Sequence, residues 1–274
     1  MAPQVEVNDS ELLSSWSWLM ELQPPVSGWV PLSNVDYPGV WSSVAFLGGC
    51  PWRCGYCHNK HLWDRSSSVS RYEAWAKFLT RRRGLIDAIV LSGGEPTGYE
   101  SLAELAFGLR QHWRVGLHSG GADAEVFEAS LRAVDWVGFD LKTSWDNYSR
   151  LTQNETSGTQ ACASFDLLAE SGVNFEVRST IWPIHHDIFI LREMLDEIHR
   201  RGGKAWYLQE SRTSSRAVWP GLREEVLNEA NCRSLVEWAE PMGIRIRRRR
   251  SDGLEEDLVT NSGCSAEDRP LSER

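Results

Sequence analysis

Nothing in these 274 residues approaches the ~18 consecutive apolar residues of a membrane-spanning helix. Near the N-terminus no basic stretch leads into an apolar core and a small-residue cleavage site, so no export signal is expected. Basic charge is also short, with 29 Lys and Arg against 38 Asp and Glu and a formal net charge of -9. That balance works against a nucleic-acid-binding face. The arginines bunched at Arg81–Arg83 and Arg245–Arg250 read as helix-end or strand-covering charge. Cysteine is too sparse for a disulfide framework: three of the six are clustered, and Cys162, Cys232 and Cys264 are scattered. This is the usage of a reducing compartment, and the scattered three read as core or surface thiols. The expectation is a cytoplasmic protein that binds neither membrane nor nucleic acid. Tryptophan is the opposite case. Fourteen recur at the ends of apolar stretches, as at Trp41, Trp113, Trp136 and Trp206, and read as packing residues.

The densest chemistry lies between Gly48 and Asn59, which reads Gly-Gly-Cys-Pro-Trp-Arg-Cys-Gly-Tyr-Cys-His-Asn. Cys50, Cys54 and Cys57 are spaced C-x3-C-x2-C. Thiolates this close repel one another and oxidise easily, so the arrangement makes most sense around a metal. Two sites fit the spacing. With His58 the cysteines could complete a four-ligand zinc site, in which case the chain could be a non-enzymatic interaction module. Alternatively they could hold a four-iron cluster and leave one iron without a protein ligand, open to a substrate. A second motif, Leu-Ser-Gly-Gly-Glu-Pro-Thr, runs from Leu91 to Thr97 directly after the apolar Ala88-Ile89-Val90. Gly93 and Gly94 let backbone approach a ligand closely. Glu95 presents an acceptor at the strand's exit and Pro96 stiffens the turn. Alone, the motif is also compatible with an ordinary strand-to-helix turn.

Residues 1–26 lack the pattern of the central part of the chain and read as an N-terminal extension ended by Pro24-Pro25. From about Ser251 to Arg274 the chain is polar and acidic and reads as a disordered tail. Between them, over 27–250, strands and helices alternate. Strands are predicted at 41–47, 87–91, 114–118, 136–141, 174–180, 204–209 and near 244–248. Between them lie helical patterns such as Tyr72, Trp75, Ala76 and Leu79, or Ile188, Leu191, Leu195 and Ile198. This rhythm predicts right-handed crossovers and a mostly parallel sheet. Six strand–helix units are too few to close an eight-stranded barrel, so the fold class expected is α/β, an open or partial barrel. Chemistry in such folds sits on the loops after the strands, where both motifs lie.

Together, the cysteine loop and the Gly-Gly-Glu turn some forty residues later resemble the radical S-adenosylmethionine (radical SAM) superfamily. The resemblance implies a partial (β/α)6 barrel, a [4Fe–4S] cluster on Cys50, Cys54 and Cys57, and S-adenosylmethionine as second cofactor. It implies that Gly93, Gly94 and Glu95 face the amino group of the methionine part, and that Tyr56 belongs to the cofactor site. Asp140 and Lys142, two apart in Asp140-Leu141-Lys142, point to one side of an extended chain. They resemble the Asp-x-Lys of pyruvate formate-lyase activators, close to the ribose and methionine; the plain alternative is a solvated strand end. Arg178 resembles the activators' arginine for the cofactor carboxylate, and a salt bridge to Glu176 or another acid is its alternative. Where those activators carry Asp-Thr-Asn-Gly with a monovalent cation, this chain has His118-Ser119-Gly120-Gly121. The cation site is therefore not carried over, and His118 reads as a hydrogen-bonded structural residue.

Val35-Asp36-Tyr37-Pro38-Gly39-Val40, Glu176-Val177-Arg178 and Tyr207-Leu208-Gln209-Glu210 further resemble, over about 27–212, the activating protein of the anaerobic ribonucleoside-triphosphate reductase. Asp36 to Gly39 alone would be a plain β-turn. That resemblance implies reductive cleavage of S-adenosylmethionine and a 5′-deoxyadenosyl radical that takes hydrogen from a glycine of the reductase. It also implies a flavodoxin or ferredoxin as electron donor. A radical SAM enzyme acting on another peptide or a small molecule is the alternative.

Overall fold

The computed structural model describes residues 16–65, 71–211, 226–249 and 255–258. Among these residues nine strands form one sheet in chain order: β1 (Val26–Ser33), β2 (Ser42–Leu47), β3 (Ala88–Gly93), β4 (Arg114–Ser119), β5 (Trp136–Asp140), β6 (Asn174–Ile181), β7 (Ala205–Glu210), β8 (Arg245–Arg249) and β9 (Glu255–Asp257). Strands β2 to β8 are all parallel, while β1 and β9 add antiparallel at the two edges. The edges do not pair with each other. The sheet is therefore the open, mostly parallel partial barrel expected from the strand–helix rhythm. All the parallel strands end on the same rim.

Helices α1 (Ser17–Leu22), α2 (Tyr72–Thr80), α3 (Leu102–Arg110), α4 (Ala124–Leu131), α5 (Tyr148–Thr152), α6 (Ser157–Ser171), α7 (Ile188–Arg200) and α8 (Glu229–Ala239) precede, connect or follow the strands. The periodic apolar positions do what their spacing predicts: Trp75, Ala76 and Leu79 of α2 and Leu191, Leu195 and Ile198 of α7 are buried. Two starts are capped by aspartate. Asp123 accepts from the backbone of Glu125 and Val126, and Asp187 from Ile190, relieving donors that a helix start leaves open. Alternation splits the strands between two cores. Ile89, Leu91, Val115, Leu117, Val137 and Phe139 belong to the main core. Val44, Ala88, Val90 and Trp136 form a second, smaller cluster with Tyr37. The segment before the first parallel strand is thus more than a turn, because its tyrosine plugs the apolar interior. Among the described residues no helix is long and apolar enough to cross a membrane.

Three segments differ from the sequence reading. Part of the supposed extension is core: Trp16 and Leu19 are fully buried, and six residues of helix are too few to show a period. Strand β1 carries Gly28 and Pro31 and two irregularities of register; such residues hide a strand from propensity, yet an edge tolerates them. Strand β9 lies in the supposed tail. Its acidic residues pair with the arginines of β8, Arg247 with Glu255 at 3.0 Å and Asp257 at 2.7 Å, and Arg249 with Glu255 at 2.5 Å. Cross-strand charge pairing of this kind has no apolar signature. The remainder of the tail, with Cys264, and residues 1–15 lie outside the described residues.

Trp16 stacks on Trp113 at 6.1 Å and donates through Nε1 to Thr80 Oγ1 at 2.8 Å. Trp16→Ala is expected to lower stability by about 3–5 kcal/mol, read as a lower midpoint in equilibrium urea unfolding. An unchanged midpoint would show that the segment is dispensable to the core.

Candidate active site

The cysteine loop leaves β2 and the Gly-Gly-Glu turn leaves β3, and the two are joined backbone to backbone. Gly94 N–H donates to Leu47 O and Glu95 N–H to Gly49 O, both at 2.9 Å. A Cβ on Gly93 would lie 2.3 Å from Leu47 N and O, and one on Gly94 2.3 Å from Gly49 O. Gly93 also has a φ of 134°, in the region that side chains disfavour. The two glycines are thus needed for the seam between the motifs, apart from any ligand. Behind the seam the loop is tied down by Gly49 N–H to Leu62 O at 2.8 Å and Cys50 N–H to Trp63 O at 3.1 Å.

Glu95 is buried with 4% of its surface exposed. Its Oε1 accepts from Thr97 N (3.2 Å), Thr97 Oγ1 (2.9 Å) and Ser119 Oγ (2.5 Å), and its Oε2 from Gly120 N (2.9 Å). Both oxygens are therefore committed to protein donors, and the carboxylate ties the exit of β3 to that of β4. Facing the cavity beside it are Gly93 and Gly94.

That cavity, of about 320 Å³, opens at the strand exits. The cysteine loop contributes Cys50, Tyr56, Cys57 and His58; β5 and the residues after it give Asp140 and Lys142; β6 gives Arg178, Ser179 and Thr180. Cys54 is buried at 7% exposure and is not part of the lining. The structure thus gathers Cys50, Tyr56, Cys57, Gly93, Gly94, Asp140, Lys142 and Arg178 around one space, with Cys54 and Glu95 set into its walls. Asp140 Oδ1 is 3.4 Å from Arg178 Nη2, and its Oδ2 is 4.0 Å from Lys142 Nζ. Arg178 therefore pairs with Asp140, while Gly138 leaves it room: a Cβ there would lie 2.8 Å from the guanidinium carbon. Both cations are in ion-pair range of Asp140, and both line the cavity, where an anionic ligand group could reach them.

His118 has a larger place than its sequence context gave it. It is buried, with Nε2 at 2.9 Å from Asp36 O and 3.1 Å from Arg178 Nη1. Burial and then the Arg178 charge hold it well below the usual histidine range, so it sits against the guanidinium as neutral imidazole. The far end of the cavity, formed by Asp36, Tyr207, Gln209, Glu210 and Arg249, was also unassigned by sequence. In the sequence, Asp36 and Tyr207 to Glu210 carried the family resemblance but no role in the site, and Arg249 read as strand-covering charge.

The donor set fits a metal cluster. Burial and then the Glu95 charge push the Cys50 thiol up to about 12, and burial raises Cys54 as well. Left to themselves these are protonated thiols, and thiolates form here only against a strong cationic partner. Among the described residues no three His, Cys, Asp or Glu side chains converge as ligands of a single ion. Three soft thiols on one loop suit an iron–sulfur cluster, which takes each thiolate on a separate iron. Burial works against the Lys142 ammonium, while the charges of Asp140 and Glu95 favour it, and its pKa stays above the ordinary value. Tyr56 is buried, meets Trp182 edge-on at 6.0 Å, and its phenol is raised by burial.

Comparison with known proteins agrees with this geometry. The Radical SAM superfamily profile matches residues 44–200. A candidate glycyl-radical enzyme activating enzyme of Methanocaldococcus jannaschii is 32% identical over 169 residues, covering 58% of this chain and 68% of that protein. The 7-carboxy-7-deazaguanine synthase of Pyrobaculum aerophilum is 34% identical over 115 residues, covering 40% of this chain and 49% of the synthase, about half its length. Among solved structures, QueE from Escherichia coli superposes with a TM-score of 0.51 at 15% identity, covering 85% of this chain and 97% of that one, a likeness of fold. With the profile spanning more than half its length, the chain belongs to the radical SAM superfamily and uses that superfamily's [4Fe–4S] cluster and S-adenosylmethionine.

Proposed function

We propose that the chain is a glycyl-radical enzyme activase whose protein substrate is an anaerobic ribonucleoside-triphosphate reductase. The observation that carries the reading is the single cavity running from the cysteine loop to the exits of β7 and β8, where the sheet is not closed. A chain segment can approach from that open side. The archaeal relative named for glycyl-radical enzyme activation supports the same reading.

In this reading Cys50, Cys54 and Cys57 hold the cluster. The backbone of Gly93 and Gly94 faces the amino group of S-adenosylmethionine, with the turn kept rigid by the Glu95 carboxylate. Arg178 and Lys142 take the carboxylate, and Asp140 keeps their charges in place beside the ribose. Tyr56 and Trp182 wall the site against water. Held by these residues, the cluster and S-adenosylmethionine would supply the radical chemistry that removes hydrogen from a substrate glycine. No side chain of this protein has to move a proton. The electron comes from a flavodoxin or ferredoxin.

A second reading, a radical SAM enzyme acting on a small molecule, draws on the match to the deazaguanine synthase.

Two experiments bear on these readings. Anaerobic protein reconstituted with iron and sulfide is expected to release 5′-deoxyadenosine from S-adenosylmethionine when reduced. Cys54→Ala should abolish the product. Glu95→Ala should lower it at least tenfold, because it strips buried donors of their acceptor at about 1–3 kcal/mol each. Product at the wild-type rate in Cys54→Ala would remove the cluster assignment. Secondly, mixing with an anaerobic ribonucleotide reductase should give the EPR doublet of a glycyl radical; 5′-deoxyadenosine without that doublet would sink the activase reading and leave the small-molecule one.

A further inference from the structure

Lys142 is held more elaborately than contact with a ligand requires. Its N–H donates to the Tyr148 hydroxyl at 3.0 Å, and its carbonyl lies 2.8 Å from His186 Nε2, so the backbone is fixed on both sides. Its Nζ lies 5.2 Å from the centre of the Trp52 ring. Trp52 stands inside the cysteine loop, two residues after Cys50 and two before Cys54. The indole is buried and meets the Tyr148 ring edge-on at 6.1 Å. Gly120 completes the arrangement, since a Cβ there would lie 2.4 Å from the indole and 3.1 Å from Lys142 Cε. Any larger residue would displace the ring or the amine.

The charge so placed is only partly cancelled. Asp140, 4.0 Å from Nζ, divides its charge with Arg178 at 3.4 Å. Glu95 is surrounded by four donors whose positive ends point at it. A cation against an indole face, with 16% of its side chain exposed, is attracted by the ring and less screened than in bulk water.

We infer that Lys142, seated on Trp52 against Gly120, is the fixed counter-charge of the cysteine loop and raises the reduction potential of the cluster held there. The inference rests on the assignment of that cluster to Cys50, Cys54 and Cys57, and is separate from any contact between Lys142 and S-adenosylmethionine. Reduction adds one negative charge to a site that already carries three thiolates. A fixed positive charge in a low-dielectric wall favours the reduced form, since cluster potential depends on net charge and solvent exposure. Trp52 acts here as a positioning residue.

The test is an EPR-monitored redox titration of the full chain, reconstituted anaerobically and kept free of S-adenosylmethionine. Lys142→Met is expected to shift the midpoint to a more negative potential, Lys142→Arg to stay near wild type, and Trp52→Leu to shift as Lys142→Met does but less. An unmoved midpoint in Lys142→Met overturns the inference and leaves the residue a ligand contact only. Iron lost from Lys142→Met but kept in Lys142→Arg supports a need for the charge. Iron lost from both overturns it, because side-chain shape would then be the requirement. Wild-type protein that takes up no iron would fail at the earlier step, removing the cluster assignment and this inference with it.

Discussion

Two stretches of backbone with no side chain between them hold the site together. The exit of β3 lies directly on the exit of β2, with Gly94 bonded to Leu47 and Glu95 to Gly49. Added carbon atoms on either glycine would fall 2.3 Å from main-chain atoms of the neighbouring strand's exit, a distance no rotamer can relieve. Because the parallel register pairs Leu47 with Gly93, the cysteine loop and the glycine turn leave the sheet side by side. Everything that the three thiols face is set by this contact.

From the seam outward, the site is a series of buried polar groups, each given a partner. Glu95 satisfies the exits of β3 and β4, His118 Nε2 lies within reach of both Asp36 O and Arg178 Nη1, and His186 accepts from Trp182 N while Nε2 faces Lys142 O. Such networks are stabilising only when complete, and here Asp140 is the acid in ion-pair range of both Arg178 and Lys142, with Glu176 and Glu95 acting on them from farther off. The thiols are the exception to this satisfaction. Burial raises Cys50 and Cys54, which keeps them as neutral thiols until a metal takes them as thiolates.

The legible part of the fold was the alternating middle. Leu102, Leu105, Ala106 and Leu109 repeat at helical spacing and are all fully buried, and apolar runs such as Ala88-Ile89-Val90 are strands covered on both faces. The edges were not legible, for different reasons. Strand β1 is broken up by Gly28 and Pro31, and β9 is three acidic residues that become a strand only because β8 offers arginines opposite them. Helix α1 is too short to declare a period, and its burial comes from a tryptophan that finds Trp113 and Thr80.

For the site itself, the chain's linear order determined the chemistry. Three cysteines within eight residues and a Gly-Gly-Glu turn after an apolar run mark a metal-binding loop and a close backbone approach beside it, because ligand spacing and glycine's lack of a side chain act locally. Only the tertiary structure decided how the remaining groups are used. It turned the Glu95 carboxylate toward β4, paired Arg178 with Asp140 and set His118 against it, and brought Lys142 over Trp52, ninety residues away in sequence. Those choices depend on which strand exits stand side by side and on where a missing Cβ, at Gly120 or Gly138, leaves room, and neither can be read from neighbours along the chain.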